Sequence, residues 1–293
     1  MGGATRARKL PRLLAGACGV LLALLALQPG HAQPGDGART DPNLSHPTEV
    51  VTVAVQNYAI AGLVTHLKDA KSLKYGIALF PGHPGIMRIR EANGQPRFDM
   101  RGNFLVRSRR HWLDDETLVV VVDAPSDQRT TFYQQWRATP RYGADVAALL
   151  KEVGRRFNLQ DWTLVGTSEG SISAFHAGRM NPELARRIIL TSSVFLAGKN
   201  GPGLLYVTFE GVANRLLWVH HQDDPCPFTS YRDAQRFAER SGRPLVTVRG
   251  GGPFRGQPCE AFSAHGFAGM EIATIDAMRS WIKTGATPRD VGP

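Results

Sequence analysis

Two rhythms of apolar and polar positions take turns along this chain. Residues 49–55 are rich in valine and strand-like, and residues 75–80 form a short apolar run ending in Pro81-Gly82-His83-Pro84-Gly85. Residues 118–122 read Leu-Val-Val-Val-Val with no polar break. A run of that kind suits a central parallel strand covered on both faces, because neither face is left for water. Residues 162–165, 188–190, 216–220 and 244–248 are further strand-like runs. Between them, 144–157, 171–180, 231–240 and 270–282 carry apolar residues at helical spacing, and 103–112 can form a helix. Strands separated by helical segments predict βαβ units and a mostly parallel central sheet flanked by helices. With no internal repeat and no interdomain linker, one domain over about residues 49–284 is expected, followed by a short tail over 285–293.

The amino-terminal segment has a different pattern. Arg6, Arg8, Lys9 and Arg12 form a basic head, an apolar run covers 13–27, and Gly30 and Ala32 place small residues where a signal peptidase reads. That order predicts a signal peptide over 1–32, since the apolar run is short for a spanning helix of ~20 residues. Residues 33–48 are polar and rich in Gly and Pro and are expected to be a flexible leader. The protein is therefore expected to be secreted or periplasmic, with no stable membrane insertion after cleavage.

Charge adds little. The formal net charge is +10, and loss of the four signal-peptide cations would leave +6. No basic run is interleaved with aromatics, so nucleic-acid binding is not expected. Of the three cysteines, Cys18 would leave with the signal, which leaves Cys226 and Cys259 in a compartment where disulfides persist.

The candidate chemistry starts at Gly166-Thr167-Ser168-Glu169-Gly170, which fits Gly-x-Ser-x-Gly. The pentapeptide alone also describes a glycine-rich turn with a capping serine. Its context narrows the choice: a strand precedes it and a helical segment follows, which sets the serine hydroxyl on a tight strand-to-helix turn. A serine needs a base, and the base needs an orienting carboxylate. Asp223 and Asp224 end the strand-like run 216–220, and His265 stands just before the last helical segment. The chain order is therefore serine, acid, histidine, with 56 residues from Ser168 to Asp224 and 41 from Asp224 to His265.

From about residue 75 to 283 the chain resembles compact esterases and peptidases of the α/β-hydrolase superfamily. The elbow matches at Gly166 to Gly170, and His265-Gly266-Phe267 resembles the family's histidine loop. The stretch from His220 to Asp224 is similar to the family's His-Gly-x-x-Asp acid loop, with His221 where many members have Gly. The resemblance implies an α/β-hydrolase fold with Ser168 as nucleophile, His265 as base and Asp224 as acid, Asp223 being the alternative. It implies an oxyanion hole made by the backbone N–H of Glu169 and one from the Pro81–Gly85 loop, where the family's second donor maps to the backbone N–H of His83; Pro84 has none to give.

If Asp224 and His265 are partners, their loops are neighbours. A Cys226–Cys259 disulfide would then fasten one loop to the other. His220, His221, Asp223 and Asp224 do not read as a metal site, because adjacent strand residues point to opposite faces. Asp123 and the Arg137–Tyr142 segment are candidates either for the pocket wall or for turn structure. The expected function is a cofactor-independent ester hydrolase acting on a small acyl substrate. A serine peptidase on short peptides and a non-catalytic binding protein on the same fold are the alternatives.

Overall fold

The valine-rich segment forms β1 (Thr48–Val55), which pairs antiparallel with β2 (Tyr58–Thr65). The turn between them places Gln56 at φ 52°. β3 (Tyr75–Phe80) follows, then a small hairpin of β4 (Arg90–Ala92) and β5 (Gln95–Arg97). The segment 103–112, expected as one helix, is a single turn, α1 (Phe104–Arg107), and a 3-10 turn over Arg109–Trp112. β6 (Thr117–Val122), α2 (Gln134–Arg137), α3 (Pro140–Phe157) and β7 (Asp161–Thr167) come next. Then come α4 (Gly170–Met180), β8 (Ala185–Thr191), β9 (Leu216–His221), α5 (Tyr231–Ser241) and β10 (Leu245–Val248). α6 (Glu271–Thr284) and β11 (Asp290–Val291) complete the chain.

This computed structural model describes residues 1–3, 45–70, 72–212 and 215–293. The signal peptide and leader expected from the sequence lie outside the described residues except for 1–3 and 45–48. All the elements above belong to the unit Thr40–Pro293. Among the described residues no helix is long and apolar enough to cross a membrane.

Among the described residues nine strands form one sheet in the order β1-β2-β6-β3-β7-β8-β9-β10-β11. The pairs from β6 through β11 are parallel, and only β1–β2 and β2–β6 are antiparallel. Residues 285–293, expected as a tail, instead supply β11, whose Val291 pairs with Val248 of β10. The strand alternation explains the unbroken apolar runs. Ala78, Val120, Leu164, Leu190 and Trp218 face a core shared with α3, α4 and α5. Ile77, Val119, Val165, Ile189 and Leu217 face a second core closed by α1 and α6. Successive side chains leave a strand on opposite faces, so a sheet covered on both sides needs apolar residues at every position.

Parallel strands all end at the same edge. β3, β6, β7, β8 and β9 therefore deliver the Pro81–Gly85 loop, Asp123, Ser168, Ser192 and the Asp223–Asp224 turn to one end of the sheet. The pieces named from the sequence meet there.

Candidate active site

β7 runs directly into α4 with Ser168 at φ 53°, a left-handed conformation uncommon for a residue with a side chain. The two glycines allow this turn. A Cβ on Gly166 would lie 2.2 Å from Gly170 O, and one on Gly170 would lie 1.9 Å from Phe80 O. The Ser168 backbone N–H donates to Thr191 O at the end of β8, and Ser171 Oγ donates to Ser168 O. The elbow is thus fixed by the neighbouring strand and by the first turn of the helix it starts.

The loops that carry Asp224 and His265 meet. His265 Nδ1 lies 3.0 Å from Asp224 Oδ2, and both side chains are buried. Asp223 is exposed and makes its contact through its backbone N–H, to His221 Nδ1 at 3.1 Å. It is Asp224 that reaches the ring. Its other oxygen, Oδ1, accepts the Cys226 N–H at 2.9 Å. Cys226 and Cys259 are at bonding distance, S–S 2.10 Å, so the residue that orients the carboxylate is also tied to the segment before His265.

Sequence reasoning missed Thr229. Its hydroxyl donates to Asp224 Oδ2 at 2.8 Å and sits 3.1 Å from His265 Nδ1. A threonine five residues after an acid carries no signal of its own; only the fold of the loop turns it inward. The histidine is held from its backbone as well. Ser192 Oγ donates to His265 O at 2.7 Å, and Ser263 Oγ accepts the His265 N–H at 3.1 Å. Thr191 and Ser192 are consecutive, so the elbow and the histidine are fixed to adjacent residues of one strand end. With Nδ1 turned to Asp224 and Thr229, Nε2 is the ring nitrogen left to serve a hydroxyl. Ser168 Oγ and the ring share no hydrogen bond among the described residues.

The Pro81–Gly85 loop passes beside the serine. A Cβ on Gly82 would come within 2.9 Å of Ser168 Cβ, so only glycine lets the loop approach this closely. Glu169 N–H and His83 N–H, the two expected oxyanion donors, have no acceptor among the described residues. The Glu169 side chain joins them, a role the sequence did not reveal. Its carboxylate is buried, with Oε2 3.2 Å from His83 Nδ1 and Oε1 accepting Asn200 Nδ2 at 2.7 Å. Gln134 Nε2 also approaches Oε1, at 3.4 Å. Arg137, fully buried, lies 3.6 Å from Oε2 and donates to Pro84 O at 2.9 Å and to Ser173 Oγ at 3.0 Å. Burial by itself would raise the Glu169 pKa. The His83 contact, the Arg137 charge and the Asn200 amide outweigh it and hold the carboxyl below its ordinary value.

The other candidates divide cleanly. Asp123 is fully buried and accepts the backbone N–H groups of Met87, Arg88, Ile89 and Ala124, so it shapes the loop after β3. Arg141 packs over Tyr58 and pairs with Asp127 at 2.5 Å, away from the serine. Tyr142 is core, its hydroxyl pushed up to about 12 by burial. His220 is also buried, and its Nε2 accepts the Ser193 N–H at 2.9 Å. Desolvation pushes it down to about 3, so it stays neutral. Among the described residues no group of His, Cys, Asp and Glu could hold a metal ion.

No protein-family model matches this chain, and no curated protein matches it. Solved structures match it in fold. A thermostable esterase is 14% identical, with a TM-score of 0.52 over 80% of this chain and 62% of that one. A provisional dipeptidyl aminopeptidase IV from Bacteroides ovatus is 9% identical, with a TM-score of 0.54 over 81% of this chain and 36% of that one. Dipeptidyl peptidase 4 of Porphyromonas gingivalis is 12% identical, with a TM-score of 0.46, and this chain spans about a third of it, 32%. The large, mostly parallel sheet and the likeness to the thermostable esterase and the Bacteroides ovatus protein define the class: the chain has the α/β-hydrolase fold.

Proposed function

We propose that this protein is a serine hydrolase that cleaves carboxylic esters through an acyl-enzyme. The observation that carries the proposal is the convergence, at one end of the sheet, of a serine on a left-handed elbow and a buried Asp224–His265 pair. Ser168 Oγ attacks the ester carbonyl and His265 Nε2 takes its proton. The proton then passes to the departing alkoxide. Asp224 fixes the tautomer through Nδ1–H and supports the imidazolium as it forms. Thr229 braces both. The N–H groups of Glu169 and His83 donate to the developing oxyanion, for which preorganised donors are worth ~3 kcal/mol each. Water, deprotonated by His265, releases the acid. The Ser168–His265 hydrogen bond forms when substrate closes the site, as catalytic hydrogen bonds commonly tighten only in the complex. No cofactor enters this scheme.

Phe228, beside Thr229, is 42% exposed and Phe262, three residues before His265, is 39% exposed. The Phe228 ring sets apolar surface on the acid loop, which favours an uncharged acyl or alkyl group over a charged one, while the Phe262 ring is stacked by the guanidinium groups of Arg107 at 4.9 Å and Arg255 at 5.3 Å. The disulfide supports a place outside the reducing cytosol. The test is a panel of p-nitrophenyl esters beside p-nitroanilides of the same acyl groups. Ester turnover with slow or absent anilide turnover supports the reading. Faster anilide turnover would assign the same residues to a peptidase. Turnover of neither would leave a binding protein.

A further inference from the structure

The opposite end of the sheet carries a second, unrelated feature. A cleft of about 660 Å³ opens at the amino ends of β7, β8 and β9, beside the end of α6. Arg186, Arg187, Arg215, Arg243 and Lys283 line it, with Asp161 as the acidic residue among them. β7 runs seven residues from Asp161 to Thr167, so the cleft is ~20 Å from Ser168 at the strand rise of ~3.3 Å per residue.

Two of these cations have carboxylate partners. Arg187 pairs with Asp161 at 2.6 Å, and Lys283 reaches Asp114 at 2.6 Å. Arg215 spends its guanidinium on the carbonyls of Ala185 and Gly211, which order it without neutralising it. Arg186 and Arg243 have no acidic partner among the described residues, and Arg243 Nε is buried without any acceptor. Helix dipoles account for part of this, since Lys283 lies in the last turn of α6 and Arg243 just past the end of α5. They do not account for Arg186 or Arg215.

The backbone adds an independent observation. Trp162 pairs with Ala185 but Thr163 pairs with Arg187, so Arg186 is an extra residue on β8, a β-bulge. Without it, Arg186 and Arg187 would project to opposite faces of the sheet. The bulge breaks that alternation, and both line the one cleft.

We infer that this cleft binds a phosphorylated small molecule through its phosphoryl oxygens. Arginine forks match phosphate oxygens two at a time, and three of them here lack a counter-charge. The cavity is larger than one phosphate needs and has room for a diphosphate or a phosphate ester. A phosphorylated solute and the headgroup of an anionic lipid offer the same chemistry.

Inorganic pyrophosphate titrated calorimetrically into the full chain at low salt tests the site. The expected result is saturable binding at one site, at least tenfold weaker in Arg186→Glu and in Arg243→Gln and unchanged in Ser168→Ala. Arg186 is exposed, so its variant should keep the parent thermal transition, which is checked in the same samples. Protein bound to phosphatidylglycerol vesicles and displaced by pyrophosphate would assign the headgroup as the source; pyrophosphate binding without vesicle binding would assign a soluble phosphorylated molecule. Non-saturating heats, or equal affinity in parent and Arg186→Glu, overturn the proposal.

Discussion

The carboxylate of Glu169 lies 3.2 Å from Nδ1 of His83. One residue thus presents its backbone N–H at the elbow and holds, by its side chain, the loop proposed to supply the second oxyanion donor. The same carboxylate faces the buried Arg137 at 3.6 Å. Glu169→Gln keeps the size and an acceptor for Asn200 but leaves Arg137 without its charge partner. Breaking a buried pair from one side costs about 3–5 kcal/mol, so a marked fall in the urea midpoint is expected. Activity should fall roughly ten- to a hundredfold through kcat, short of the cost of a whole oxyanion donor. Parent-like kcat in a folded Glu169→Gln would remove the bracing role.

Thr229→Val replaces the hydroxyl between Asp224 and His265 with a methyl group of similar size. Hydrogen bonds to charged groups are worth about 1.5–3 kcal/mol. Steady-state kinetics should therefore show kcat/KM lowered by roughly one to two orders of magnitude with little change in KM. An unchanged kcat/KM would make Thr229 a spectator.

The Cys226–Cys259 bridge spans 33 residues and includes α5 and β10. Loop-closure entropy for a ring of that size predicts about 3–4 kcal/mol of stabilisation. Reduction, or the paired change Cys226→Ser with Cys259→Ser, should lower the thermal midpoint. It should also lower kcat, because the Cys226 N–H orients Asp224. A lower midpoint with full activity would separate the bridge from the site.

Acid should destabilise the fold through its buried histidines. Burial pushes His220 down to about 3 and His176 to about 4, while an unfolded histidine titrates near ~6.5. As pH falls below ~6.5 the unfolded chain gains protons that the folded chain refuses. Stability then drops by about 1.4 kcal/mol per pH unit for each such histidine. The drop continues until each folded pKa is reached. Glu169 acts at lower pH and in the same sense: its lowered pKa makes its contribution full above ~4.3 and lost as pH falls through the folded value. Urea unfolding at pH 7 and pH 5 should show the histidine loss, with a shallower slope in His220→Gln. A flat profile over that window would contradict it.

The sequence carried the sheet and the order of Ser168, Asp224 and His265 because both depend on local pattern: runs of valine and leucine, and a glycine-framed turn between strand and helix. It did not show β2. Its Tyr-Ala-Ile-Ala-Gly-Leu-Val-Thr lacks the alternation of a half-exposed strand, and it follows β1 through a two-residue turn without glycine. β11 is two residues long and is held by pairing alone. Thr229 and the Glu169 carboxylate were hidden for another reason. Thr229 meets Asp224 within its own loop and His265 on another, the partners of Glu169 lie on distant segments, and no spacing along the chain encodes which side chains a folded loop turns inward. The bulge at Arg186 is likewise a matter of register between β7 and β8.

Whether Ser168 is an activated nucleophile is read by a fluorophosphonate probe followed by peptide mass spectrometry. One adduct is expected, on Ser168, formed at least a hundredfold more slowly in a folded His265→Ala variant and absent in Ser168→Ala. A folded protein that stays unlabelled, or that is labelled at the same rate without His265, would contradict an activated Ser168.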